Sequence, residues 1–139
     1  MDVLIKGIEF EKLDSDRLMD FLNKTKKTQI VDIKCFYGKK HVIHSILQTL
    51  KAFRNKDSIA KTEEIELLVR ISAQRQIKNA LSDCMPGKRA VFISWSKNAK
   101  KTFSGFKKQF KFKEHVLKEP DVDTIKKAIE RTSTFYLLS

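Results

Sequence analysis

The run His41-Val-Ile-His-Ser-Ile-Leu-Gln-Thr-Leu-Lys-Ala-Phe-Arg54, the polar break Asn55-Lys-Asp-Ser58 and the run Thr62-Glu-Glu-Ile-Glu-Leu-Leu-Val-Arg-Ile-Ser72 decide the fold of this chain. Over residues 39–54, Val42, Ile43, Ile46, Leu47, Leu50 and Phe53 recur at helical spacing and predict one broad buried stripe on a central helix. Thr62 is a suitable N-cap, and Glu63, Glu64 and Glu66 make an acidic first turn, so a second helix opens there. Its inner face is expected to carry Ile65, Leu68 and Val69, with Arg70 at its basic end. A third helical segment follows over residues 74–84 until Pro86-Gly87 stops it. The polar run Ser72-Ala-Gln-Arg-Gln-Ile77 sits at the junction. Read as a helix start, it sets a hydroxyl, a guanidinium and two amides beside backbone N–H groups that favour anions.

Working outward, residues 3–10 read as a strand, and Asp14 or Ser15 caps a helix with Leu18, Phe21 and Leu22 on one face. Residues 30–36 alternate Val31, Ile33 and Cys35 against Asp32 and Lys34, the pattern of a half-buried strand, and Gly38 turns the chain. Beyond the central helices, residues 90–95 form an apolar strand. Residues 97–110 form a helix with Phe103, Phe106 and Phe110 inward, and residues 112–117 a short edge strand. A last helix spans residues 123–136, with Ile125, Ala128, Ile129 and Phe135 on its inner face. Strands and helices in this order predict a single α+β domain over residues 1–139: a small mixed, mostly antiparallel sheet packed with several helices.

A chain of 139 residues with 41% hydrophobic and 33% charged residues is globular and has enough length for a real core. No apolar run reaches the roughly 20 residues of a membrane span, and the N-terminus has no leader pattern, so a cytoplasmic protein with no membrane contact is expected. Cys35 and Cys84 read as reduced core thiols rather than a disulfide framework. The net charge is +12, and residues 87–119 hold ten basic against two acidic residues. Lys88, Arg89, Lys97, Lys100, Lys101, Lys107, Lys108, Lys111, Lys113 and Lys118 make this segment the footprint of a polyanion partner, or simply a solubilising surface.

His41 and His44, three residues apart on a helix, lack a third ligand at metal-binding spacing and are expected to cap or pack. No Gly-rich phosphate loop or nucleophile elbow is present, and the first-turn glutamates are explained by the helix dipole. The reading is therefore no catalytic residue, no metal, no cofactor and no small-molecule substrate. Lysines outnumber arginines 23 to six, a usage compatible with a thermophile.

The segments His44–Arg54, Ile59-Ala-Lys-Thr62, Glu66–Ser72 and Arg75-Gln-Ile77 together resemble the kinase-binding, Cgi-type subunit of the KEOPS complex, in its archaeal form. The match is tight over the middle third of the chain and elsewhere follows length and element order. Two departures stand out: Ala73 occupies a position commonly Gly, and Ser45 and Thr49 replace small alanines. A position that needs φ > 0 would be strained in Ala73. The resemblance implies a non-catalytic accessory subunit of the machine that installs threonylcarbamoyl on tRNA adenosine (t6A). It would bind the small Bud32-type kinase/ATPase subunit and capture the 3′ CCA end of tRNA.

On that reading the RNA-binding residues are Lys61, Ser72, Ala73, Arg75, Gln76 and Ile77, with Lys100, Lys101, Lys107 and Lys108 meeting phosphates. The kinase-binding residues are Ile129 with the apolar tail Phe135, Tyr136, Leu137 and Leu138. A freestanding RNA-binding module and an RNA-modifying enzyme are the competing functions.

Overall fold

A computed structural model of the chain describes residues 2–134. It comprises β1 (Leu4–Phe10), α1 (Ser15–Lys24), β2 (Thr28–Asp32), a 3-10 turn (Ile33–Cys35), α2 (Lys39–Arg54), α3 (Glu63–Ser72), α4 (Ile77–Asp83), β3 (Arg89–Ser94), α5 (Ala99–Gln109), β4 (Phe112–His115) and α6 (Val122–Thr134). The α+β class is as expected. The described residues group into two compact units, one of residues 2–33 with 86–117 and one of residues 34–85 with 118–134.

The first unit is a four-stranded sheet in the order β2-β3-β1-β4, and every pairing in it is antiparallel. Ile8, Phe10, Ile30, Ala90 and Phe92 of the sheet share one buried cluster with Leu18 and Leu22 of α1 and Phe103, Phe106 and Phe110 of α5. Phe106 is the hub. Its ring lies 4.8 to 6.2 Å from those of Phe10, Phe21, Phe92, Phe110 and Phe112. Truncating a phenylalanine so placed costs about 3–5 kcal/mol. Asp14 caps α1 by accepting from the Arg17 N–H at 3.2 Å. Just before β3, Gly87 N–H donates to Asp32 Oδ1 at 2.9 Å, and a Cβ on Gly87 would stand 2.9 Å from that oxygen.

β2 departs from the expected strand over residues 30–36. It begins at Thr28 and ends at Asp32, and Thr28, Gln29, Ile30 and Val31 are all buried, so no half-buried alternation exists. The Val31, Ile33, Cys35 rhythm runs on into a 3-10 turn because Cys35 is bonded elsewhere. Cys35 and Cys84, expected as free thiols, form a disulfide with Cα atoms 5.8 Å apart. Their 49-residue separation hid the contact, since spacing along a chain does not report distance in space. The bond closes a loop holding α2, α3 and α4, which in the chain-entropy model is worth about 4 kcal/mol.

The second unit packs α2 against α3 and α6, and α3 against α4. Lys39 N–H at the start of α2 donates to both Glu119 carboxylate oxygens, at 3.1 and 3.2 Å. Gly38 before it has φ +102°, and a Cβ there would lie 2.7 Å from that carboxylate. The buried face of α2 is rotated from the expected stripe: His41, Val42, Ser45, Ile46, Thr49 and Ala52 are buried, while Ile43 and Leu47 are 39% and 53% exposed. Two of these positions are small hydroxyl residues, and each hydroxyl donates within its own helix. Ser45 Oγ donates to the His41 carbonyl at 2.8 Å and Thr49 Oγ1 to the Ser45 carbonyl at 2.9 Å. On α6, Ala128 and Thr132 are buried, and Ile125 and Ile129 are half-buried. Phe135, expected on the same face, lies outside the described residues.

His41 Nε2 is 2.9 Å from Thr132 Oγ1, whose single proton is directed at the Arg70 or Ala128 carbonyl, at 3.1 and 3.2 Å. The imidazole is therefore the neutral Nε2–H tautomer. Its Nδ1 is buried with no hydrogen-bond partner among the described residues, so a proton there would find no acceptor. Burial, with His44 and Arg131 adding positive charge, pushes the His41 pKa from 6.5 down to about 4. The unfolded chain takes up this proton first, so the contribution of His41 to stability is complete above pH 6.5 and is lost as the pH falls toward 4. The loss approaches about 3 kcal/mol at its limit. Urea unfolding between pH 7 and pH 4 should show this decline, and His41→Phe should flatten it.

Candidate nucleic-acid interface

The junction 72–77 is the end of one helix followed by the start of another, not the single helix start expected. Ser72 closes α3, Ala73 is its C-cap, and α4 begins at Ile77 behind Gln76, which makes no side-chain cap. Carbonyls rather than N–H groups gather at the Ser72 end, and α4, with seven residues, has a weak dipole of its own. Ser72 Oγ donates to the Leu68 carbonyl at 2.7 Å and accepts from Gln74 N–H at 3.3 Å, so its hydroxyl shapes the turn. Ala73 sits at φ 54°, ψ 32°, the left-handed geometry in which Gly is at ease and Ala is strained. Arg75 and Gln76 are exposed on this turn, and Ile77 is half-buried. Asn79 Nδ2 reaches Gln76 Oε1 at 3.3 Å and steadies its amide.

Lys61 does not join them. It precedes α3 whereas Ser72 ends it, and ten helical residues hold the two ends about 15 Å apart. The loop carrying Lys61 is tied down by Glu66, whose Oε1 accepts from Ile59 N–H at 2.9 Å and Ala60 N–H at 2.7 Å. Glu66 Oε2 in turn receives Arg70 Nε and Nη2, both at 2.9 Å. Both side chains are buried to within 1%. The helix dipole, expected to account for Glu66 in the first turn, is thus only part of its role; the pair is legible in the residues only as an i, i+4 Glu–Arg spacing, which on most helices is a surface feature. Ser72 also lines an open cleft of about 290 Å³ with Lys34, Cys35, Tyr37 and Asp83.

The lysines of α5 belong to the first unit. Lys100, Lys101 and Lys108 are exposed, on a helix whose buried face is Ala99, Phe103 and Phe106. Lys107 is engaged differently: its Nζ lies 2.9 Å from Glu114 Oε2 and 5.0 Å from the Phe103 ring centroid. Hydrogen bonding and charge from Lys107, helped by Lys6, hold the Glu114 carboxyl below the usual range. Ile129, expected to face a kinase, is half-buried on α6, and Phe135, Tyr136, Leu137 and Leu138 lie outside the described residues. Among the described residues no cluster of metal-ligating side chains occurs, and no helix is long and apolar enough to cross a membrane.

No protein-family model matches the chain. It is similar to two archaeal proteins. One is the Regulatory protein Cgi121 of Methanocaldococcus jannaschii, 35% identical over 79 residues that cover 57% of this chain and 49% of that protein. The other is the KEOPS complex subunit Cgi121 of Pyrococcus abyssi, 28% identical over 125 residues that cover 88% of this chain and 71% of that protein. The chain thus matches about half the length of the first and seven-tenths of the second. The resemblance carried by the segments between His44 and Ile77 is borne out by both names.

Two substitutions test the scaffold of this junction. Ala73→Gly should raise the unfolding free energy by about 1 kcal/mol by relieving the left-handed strain, read as a higher urea midpoint at constant slope. Glu66→Gln should lower it by about 3–5 kcal/mol, because the Arg70 guanidinium stays buried without its counter-charge. The double change Glu66→Met with Arg70→Leu should recover most of that loss.

Proposed function

We propose that this chain, acting as one domain over residues 1–139, is a cytoplasmic, non-catalytic accessory subunit of a KEOPS-type tRNA-modifying complex. It binds the small kinase/ATPase subunit and recruits tRNA by its 3′ CCA end. The observation that carries the reading is the similarity, over 88% of this chain, to a protein named as a KEOPS complex subunit. The chemistry at hand supports an RNA partner. Arg75 sets a guanidinium, a group suited to phosphates, on an exposed turn, beside the Gln76 amide that can meet a phosphate or a base edge. The exposed lysines of α5 carry positive charge suited to phosphates. For the kinase we assign Ile129 and the tail residues Phe135, Tyr136, Leu137 and Leu138, an apolar set of the kind that forms an interface core. The competing reading is an RNA-binding module that works alone.

Arg75→Ala should weaken tRNA binding by about 1–3 kcal/mol with the circular dichroism spectrum intact. Trimming the terminal CCA should abolish binding in an anisotropy titration. Equal affinity for trimmed and intact tRNA would remove end capture from the reading, and failure to co-purify a kinase/ATPase subunit from the native cell would favour the freestanding module.

A further inference from the structure

The outward face of α5 is assembled against the helix's own stability. Lys100 and Lys101 occupy the first turn, where the dipole disfavours cations, and that turn holds no acidic residue. Asn98 stands at the N-cap and makes no side-chain capping hydrogen bond. Gly105 sits mid-helix, where Ala would be more stable, and beyond its chain neighbours and its own helix backbone no atom lies within 4 Å of where its Cβ would be. Neither a tight turn nor a packed neighbour accounts for this glycine. Local rules broken together on one solvent-facing surface, while the opposite face packs three buried phenylalanines, point to a demand made from outside.

We propose that Lys100, Lys101, Ser104, Gly105 and Lys108 form a seat for the sugar-phosphate backbone of RNA, with Gly105 as the point of closest approach. This rests on the RNA-binding reading above and adds the residue that sets the distance. Lys101 lies one turn before Gly105 and Lys108 one turn after it, so the glycine is a gap between two cations about 10 Å apart along the axis. A phosphodiester strand laid across them reaches the bare helix backbone at Gly105 and meets the Ser104 hydroxyl beside it. The polyanion also offsets the two first-turn lysines. Lys107 stands apart from the seat, held by Glu114. The charge complementarity is with a polyanion, because residues 97–113 include seven lysines and no acidic residue.

The test uses the full chain, a tRNA transcript, thermal unfolding and anisotropy titrations over a range of salt. Gly105→Ala should raise Tm by about 2–4 °C and weaken RNA binding roughly three- to tenfold, a gain in stability coupled to a loss of affinity. Lys100→Ala with Lys101→Ala should likewise unfold no lower than the wild type, and should reduce the salt slope by about 0.9 for each phosphate contact removed. If Gly105→Ala lowers Tm, the glycine serves the fold and the proposal is overturned. If it raises Tm and RNA affinity is unchanged, the seat is overturned while the RNA-binding reading stands, provided Arg75→Ala still weakens binding. If the wild type binds no tRNA, both fall.

Discussion

The second unit turns on one buried ion pair. Glu66 and Arg70 could not both be sealed at one face of α3 unless nearly every polar atom were satisfied, because removing two charges from water is more costly than any single contact restores. Their surroundings meet that condition. One Glu66 oxygen closes the α2–α3 loop through two backbone N–H groups, and the other takes the guanidinium. The Arg70 carbonyl then receives Thr132 of α6, whose oxygen is in reach of His41 of α2. Three helices are thereby indexed to one another by directed bonds. Apolar packing alone fixes register loosely, since a Leu can slide along a groove; a carboxylate with two N–H donors and a guanidinium has one arrangement.

That constraint explains the composition of α2. Its buried face sets Ser45, Thr49 and Ala52 beside His41, Val42 and Ile46, with Ile43 and Leu47 turned outward, because bonding His41 toward Thr132 fixes which side of α2 faces its neighbours. It also bears on the strained turn. Ala73 follows Ser72 by one residue and α3 is anchored at its other end, so the chain must reverse at that position to reach α4 and the disulfide at Cys84. A left-handed alanine costs about 1–2 kcal/mol, which the disulfide's loop closure of about 4 kcal/mol outweighs.

The backbone path was largely legible in the residues. Thr62 with its acidic turn, Asp14 before Leu18, and the three phenylalanines of residues 97–110 each placed a helix, because capping and 3.6-residue periodicity are local properties. Loss of legibility followed a physical pattern. The half-buried strand over residues 30–36 failed because β2 is buried on both faces, which erases alternation. The disulfide and the Glu66 carboxylate's bonds failed because sequence carries no three-dimensional distance. At the junction 72–77, Arg75 and Gln76 are exposed on the turn. The separation of Lys61 and the inward use of the Ser72 hydroxyl could be seen only after α3 had a direction and an end.

The first unit reaches its stability by other means, and the contrast bears on what its surface is able to do. Phe103, Phe106 and Phe110 anchor α5 into an aromatic cluster, each at a scale of about 3–5 kcal/mol if truncated. Against this, a mid-helix glycine costs about 1 kcal/mol and each first-turn lysine about 0.3–1 kcal/mol. The inner face wins by a wide margin, so the outer face is released from the ordinary rules of helix stability and can take whatever residues a partner requires. α3 is differently placed, since its core is itself ionic and every change beside it disturbs a charge. The exposed positions of α5 are thus where this fold can accumulate lysines at least risk to its folding.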